Sequence, residues 1–138
     1  MKSATIEIPM PPSVNRLWQV GKRDEKTSGI ICQEHYRQWL ALAVPLMRIG
    51  LPVFASPVRV TITIRGGRGW RPNRDIGNTD KATLDALVHA RRIPDDNCQH
   101  VVHEEIVYLL PVPGMPACCW LTVREVDIKD YTIDEVDQ

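Results

Sequence analysis

The stretch Val58-Arg59-Val60-Thr61-Ile62-Thr63-Ile64-Arg65 alternates branched apolar residues with polar ones. A period of two is the signature of a strand with one buried face: Val58, Val60, Ile62 and Ile64 point inward, and Arg59, Thr61, Thr63 and Arg65 point outward. Downstream, Gly66-Gly67-Arg68-Gly69-Trp70-Arg71-Pro72-Asn73 reads as a glycine-rich loop. Asn78 suits an N-cap for a helix from Thr79 to about Ala90, with Asp80 at its positive end and Leu84, Leu87 and Val88 as its buried stripe. Val101–Leu110 and Cys118–Val126 read as two more strands, which the proline-rich Pro111–Pro116 is expected to join as a hairpin. Upstream, Tyr36, Leu40, Ala43, Val44 and Met47 recur at helical spacing and predict a helix over Gln33–Ile49. Pro45 is expected to kink that helix or split its last turn, and Gly50 to stop it. Ser13–Ile31 is polar, carries Lys22, Arg23 and Lys26, and reads as a loop. Ala4–Met10 alternates like a strand, ended by Pro11-Pro12. Strand, helix, strand, helix, strand, strand predicts an α+β fold: a small mixed sheet of four to five strands with two main helices mostly on one face.

A chain of 138 residues, 43% hydrophobic and 25% charged, is consistent with a single globular domain. It is expected over residues 1–126, followed by an acidic tail over 127–138. No apolar run reaches the roughly 20 residues that span a bilayer, and no signal peptide is evident, so no membrane and a cytoplasmic location are expected. The formal net charge is zero, but unevenly spread. Glu125–Gln138 holds six acids and one lysine, a net −5, which leaves +5 for residues 1–124. Five arginines and no acid lie between Arg59 and Arg74. That asymmetry suits a polyanionic partner, although an acidic end is more often simply solvated. Cys32, Cys98, Cys118 and Cys119 form no C-x-x-C pair and are read as reduced and mostly buried. Cys98-x-His100-x-x-His103 makes a poor zinc site, because on a strand His103 faces away from the other two.

The chemistry concentrates in Arg74-Asp75-Ile76-Gly77-Asn78-Thr79-Asp80-Lys81, then Leu84-Asp85-Ala86-Leu87, then Pro94-Asp95-Asp96. Clustered carboxylates suit a hard divalent cation with oxygen ligands. An aspartate before a helix is by itself more often a cap, and adjacent aspartates are common in turns. Asp75 and Asp96 can meet only if Arg91–Asp95 folds back or the next strand pairs beside the first. Lys81 lies where the helix dipole disfavours a cation; it has an i,i+4 partner in Asp85, or else reaches into solvent. Of the four tryptophans, only Trp70 sits among arginines, where stacking on a base competes with core packing.

Pro11-Pro12-Ser13-Val14-Asn15 with Trp18, then R-D-I-G-N-T-D-K-A-T-L-D-A-L at 74–87, then I-P-D-D at 93–96, resembles the RusA family of Holliday junction resolvases, common in phages and prophages. The resemblance is close over the N-terminal strand and residues 74–96. It implies an α+β homodimer that nicks four-way DNA junctions symmetrically, with magnesium as cofactor and manganese able to substitute. The family's metal-binding aspartates map onto Asp75, Gly77 and Asp96, and its essential lysine onto Lys81. Its asparagine and aspartate after the metal pair map onto Asn78 and Asp85. The departure is Gly77, where the family has an aspartate. The expected ligands are therefore Asp75 and Asp96 with Asp95 or Asp80, and Asp75, Lys81 and Asp96 are the expected catalytic set. Arg65, Arg68, Arg71 and Arg74, with Lys22, Arg23 and Asn15, are expected to contact DNA. The loss at Gly77 leaves two readings: a nuclease of reduced activity, or an inactive homodimer that binds junctions or branched DNA.

Overall fold

The computed structural model describes residues 1–12, 25–55 and 57–133, with side chains in the first helix described from residue 34 onward. Ser13, Val14, Asn15, Trp18, Lys22, Arg23 and the end of the acidic tail lie outside them. The elements run β1 (Ser3–Ile8), α1 (Glu25–Gly50), β2 (Val58–Arg65), a 3-10 turn (Ile76–Thr79), α2 (Asp80–His89), β3 (Val101–Leu109), β4 (Cys118–Glu125) and a second 3-10 turn (Ile128–Tyr131). The fold is α+β: a four-stranded mixed sheet in the order β1-β4-β2-β3, with two helices packed against it. No described helix is long and apolar enough to cross a membrane.

β2 alternates between buried and half-buried along its whole length, as its period of two requires. Val58, Val60, Ile62 and Ile64 join Cys119, Leu121 and Val123 of β4, and Ala43, Met47 and Leu87 of the helices, in one core. Phe54, in the turn before β2, is fully buried, and its amide donates to the Arg92 carbonyl at 2.8 Å. Truncating such a ring costs about 3–5 kcal/mol.

Three expectations are corrected. β3 and β4 do not form a hairpin. β3 pairs with β2 in parallel and β4 pairs with β2 antiparallel, so β2 lies between them. Residues 110–117 cross over the end of β2, where Arg68 bridges to Pro116 and the Ala117 amide donates to the Arg68 carbonyl at 2.8 Å. Glycine makes that crossing possible. Gly67 has φ +143°, and a Cβ there would stand 2.8 Å from the Met115 carbonyl oxygen. Second, α1 begins at Glu25, so residues 25–31 are helical and not loop. A polar sequence offers no apolar stripe to reveal such turns, though Glu25 suits the positive end of a helix. Third, of the kink or split expected at Pro45, the split does not occur, since α1 continues to Gly50. Pro45 is on the exposed side, where solvent can reach a carbonyl left without its backbone donor.

Candidate functional site

The arginine-rich loop is folded onto the body. Trp70 is buried, and the Arg74 guanidinium lies 4.4 Å from the centre of its ring while Nη2 donates to the Pro11 carbonyl. Arg65 donates to the Pro116 carbonyl at 3.1 Å and to Cys118 Sγ at 2.8 Å, and lies over Trp120. Arg59 pairs with Glu105. Arg68 and Arg71 are the loop arginines left exposed. Trp70 is therefore a core residue and not a stacking platform.

Asp75 follows directly. Its Oδ1 accepts the Gly77 amide at 3.0 Å, which caps the 3-10 turn Ile76–Thr79. The helix proper starts at Asp80 with Thr79 at the N-cap position, so Asn78 is not the N-cap. Residues 75–77 enter a 3-10 turn. The buried Thr79 and Thr83 hold this entry: Thr79 Oγ1 donates to the Ile76 carbonyl at 2.8 Å, and Thr83 Oγ1 to the Thr79 carbonyl at 3.0 Å. Gly77 is exposed, and a Cβ there would meet Asp75 Oδ1 at 3.4 Å, an ordinary contact.

Lys81 projects from the first turn of α2 between two acids. Its Nζ is 3.1 Å from Asp85 Oδ1 and 3.7 Å from Asp96 Oδ2. The hydrogen bond to Asp85, then that residue's charge, raise the Lys81 pKa, with Asp96 adding to it, so the amine stays protonated. Asp85 is held in turn by Tyr36 of α1, whose hydroxyl donates to Oδ2 at 3.1 Å. Burial and the Asp85 carboxylate raise the Tyr36 pKa, so the phenol stays a donor. The chain Tyr36–Asp85–Lys81–Asp96 thus ties α1, α2 and the turn before β3 together.

Asp96 sits in a turn organised by Asp95, which accepts the Asp96 amide at 2.8 Å and the Asn97 side-chain amide at 3.1 Å. Both Asp95 oxygens are spent on the turn. Glu104 of β3, paired with Val60, is the residue the sequence reading missed. Its carboxyl is pushed up to about 7, by burial first, then by the charge and hydrogen bond of Asp80, then by Asp96. The residue as a whole is solvent-exposed, so its neighbouring carboxylates account for much of its character.

The fold brings Lys81, Asp85 and Asp96 together, sets Asp80 beside Glu104, and adds Glu104 and Tyr36, which the sequence reading did not place in the site. Among the described residues no contact joins Asp75 to Asp96, and no three His, Cys, Asp or Glu side chains already stand in a coordinating arrangement. Hard carboxylate oxygens from Asp80, Asp96 and Glu104 nevertheless suit magnesium in kind. The Cys98–His103 segment gathers nothing: Cys98 is exposed, and His103 Nδ1 is hydrogen-bonded to the Tyr131 hydroxyl at 2.9 Å. The thiol of the buried Cys119 is pushed up to about 12, chiefly by burial, and so is unreactive. Neither a scan against protein-family models nor a search of the curated proteins finds a match.

Proposed function

We propose that this chain is a RusA-like, magnesium-dependent endonuclease acting as a homodimer on four-way or branched DNA in the cytoplasm. The observation that carries the reading is Lys81, a protonated amine held between Asp85 and Asp96, with Asp80 and Glu104 alongside. Magnesium bound there would polarise a phosphoryl oxygen and lower the pKa of a bound water. Asp96, Glu104 and Asp80 are the groups that would hold it, and the RusA resemblance would add Asp75. Lys81 supplies fixed positive charge where the phosphate gains negative charge. Asp85, braced by Tyr36, keeps that amine aimed and charged. Arg68 and Arg71 are free to meet the phosphodiester backbone.

The test is a synthetic four-way junction incubated with the protein and magnesium, with manganese, and with a chelator, alongside Lys81→Ala. Paired, metal-dependent nicks that Lys81→Ala abolishes while binding persists support the proposal. Loss of binding and cleavage together would reduce Lys81 to a phosphate contact. A second reading, a homodimer that binds junctions without cutting, is favoured by Gly77, which brings no carboxylate where the family has one. Binding without nicks in either metal selects it, and absence of both defeats both readings.

A further inference from the structure

We infer that the seam between α1 and α2 is a binding groove for the DNA backbone, continuous with the Lys81 site and built on Arg37, Arg48 and His89. The inference rests on the DNA reading above and extends it to residues which that reading leaves idle. Lys81, Asp85 and His89 recur every four residues, so they share one face of α2. α1 follows that face: the Tyr36 hydroxyl reaches Asp85 at 3.1 Å, and Arg48 Nη2 donates to the His89 carbonyl at 3.3 Å. Along α1 between Tyr36 and Arg48, an open groove of about 420 Å³ runs beside the seam. Leu40, Val44 and Pro45 supply its apolar lining, and Arg37, Arg48 and His89 its polar lining. All three polar residues are exposed, and no carboxylate lines the groove among the described residues.

Charge and continuity select the occupant. Arginines beside an apolar strip match a DNA strand, whose phosphates take the guanidinium forks and whose sugars cover the strip. Asp85 is the acid on the line from Lys81 to His89, and both its oxygens are engaged, Oδ1 by Lys81 and Oδ2 by Tyr36. Arg48 spends one N–H on the His89 carbonyl, and a guanidinium carries five. Arg91 follows two residues on, exposed and held at φ 56°, a conformation that costs an arginine stability and would cost glycine none. A strained backbone kept at an exposed position points to a use for its side chain, and here that side chain adds a third arginine at the same end of the seam. Eight residues of helix, about 12 Å, separate Lys81 from His89. At about 3.4 Å of axis per phosphate on one strand, that span is roughly three to four phosphates. A strand engaged at Lys81 therefore runs along the seam toward the C-terminal end of α2.

The experiment uses the whole chain and follows the fluorescence anisotropy of a labelled four-way junction in chelator, so that binding is read without cleavage. Arg37→Ala with Arg48→Ala should weaken binding by at least about fivefold and lower the slope of log affinity against log salt by about 2. Arg91→Gly is the variant that a folding defect cannot imitate: it should melt no lower than the parent and still bind at least about twofold more weakly. Junctions that each carry one neutral methylphosphonate then locate the contact. The phosphate whose neutralisation no longer matters in the Arg37/Arg48 variant should lie on the same strand as the one silenced by Lys81→Ala, roughly three to four phosphates away. Unchanged affinity and slope in the double variant, Arg91→Gly binding like the parent, or silenced phosphates that coincide or lie on different strands would overturn the groove and leave the junction reading standing. A parent that binds no junction overturns both.

Discussion

Replacing Gly77 by aspartate or by asparagine separates charge from shape beside Asp75. The backbone accepts either residue, since Gly77 is outside the positive-φ region and a Cβ there makes only an ordinary contact with Asp75 Oδ1 at 3.4 Å. Removing glycine from a compatible position stabilises by about 0.4–1 kcal/mol through the unfolded chain, and both variants gain this. A Cβ at position 77 stands 4.0 Å from Asp75 Cγ, so aspartate there brings two carboxylates near one another, a repulsion of about 1 kcal/mol in a water-like environment. Without metal, then, Gly77→Asn should be the more stable variant by about 1 kcal/mol, a gap of about 3–5 °C in Tm at this chain length. Millimolar magnesium should close the gap for Gly77→Asp alone, because a cation binding only the folded state stabilises it by mass action. Differential scanning fluorimetry of parent, Gly77→Asn and Gly77→Asp, at low salt with and without magnesium, reads this directly. Junction cleavage by Gly77→Asp should rise by about tenfold or more, roughly 1.4 kcal/mol of barrier. If the aspartate and asparagine variants melt together in both conditions and cut no better than the parent, position 77 does not address a metal, and the correspondence with the RusA motif fails at its centre.

Arg91 ends α2 with φ 56°, and its amide and that of Arg92 bond back to Val88 and Leu87 at 2.9 and 3.0 Å, the closure that glycine normally makes. Arg91→Gly should raise stability by about 1 kcal/mol, measured by urea denaturation with an unchanged m-value. Glu104 keeps its proton in the folded state up to about pH 7, above its release in the unfolded chain, so the folded protein binds the extra proton. Stability should therefore be full in acid, fall as pH rises through about 7, and level off above; Tm against pH should flatten in Glu104→Gln, and magnesium should move the parent's fall to lower pH. Arg68→Ala with Arg71→Ala should reduce the slope of log affinity against log salt for junction DNA by about 2, whereas Arg65→Ala, whose guanidinium is bound internally, should mainly lower stability.

The α+β class was legible because the apolar periods of β2, α2 and β4 are unbroken, and each buried face matches its alternation. The neighbours of β2 were not legible. A connection rich in proline reads as a hairpin whether its strands touch or straddle a third, and only the close approach at Gly67 distinguishes the two. The site was legible where its members share one helix, as Lys81 and Asp85 do at i,i+4 spacing. Glu104 was hidden because its face depends on the register of β3 against β2, which slips between Val58 and Arg59. Tyr36 was read as part of an apolar stripe, which is correct for its ring and silent about its hydroxyl.

The sheet order also sets when this chain can fold. β1 has a single pairing partner among the described strands, β4, and Ser3 is matched with Arg124 at the far end of the sequence. β4 also supplies the second neighbour of β2. On a ribosome β1 must therefore wait for β4, while one edge of β2 stays unpaired. At synthesis rates of about 5–20 residues per second that interval lasts several seconds, long compared with the collapse of a small chain. A nascent chain stalled before β4 would leave β1 unpaired and one edge of β2 open, and would be a natural client for chaperones.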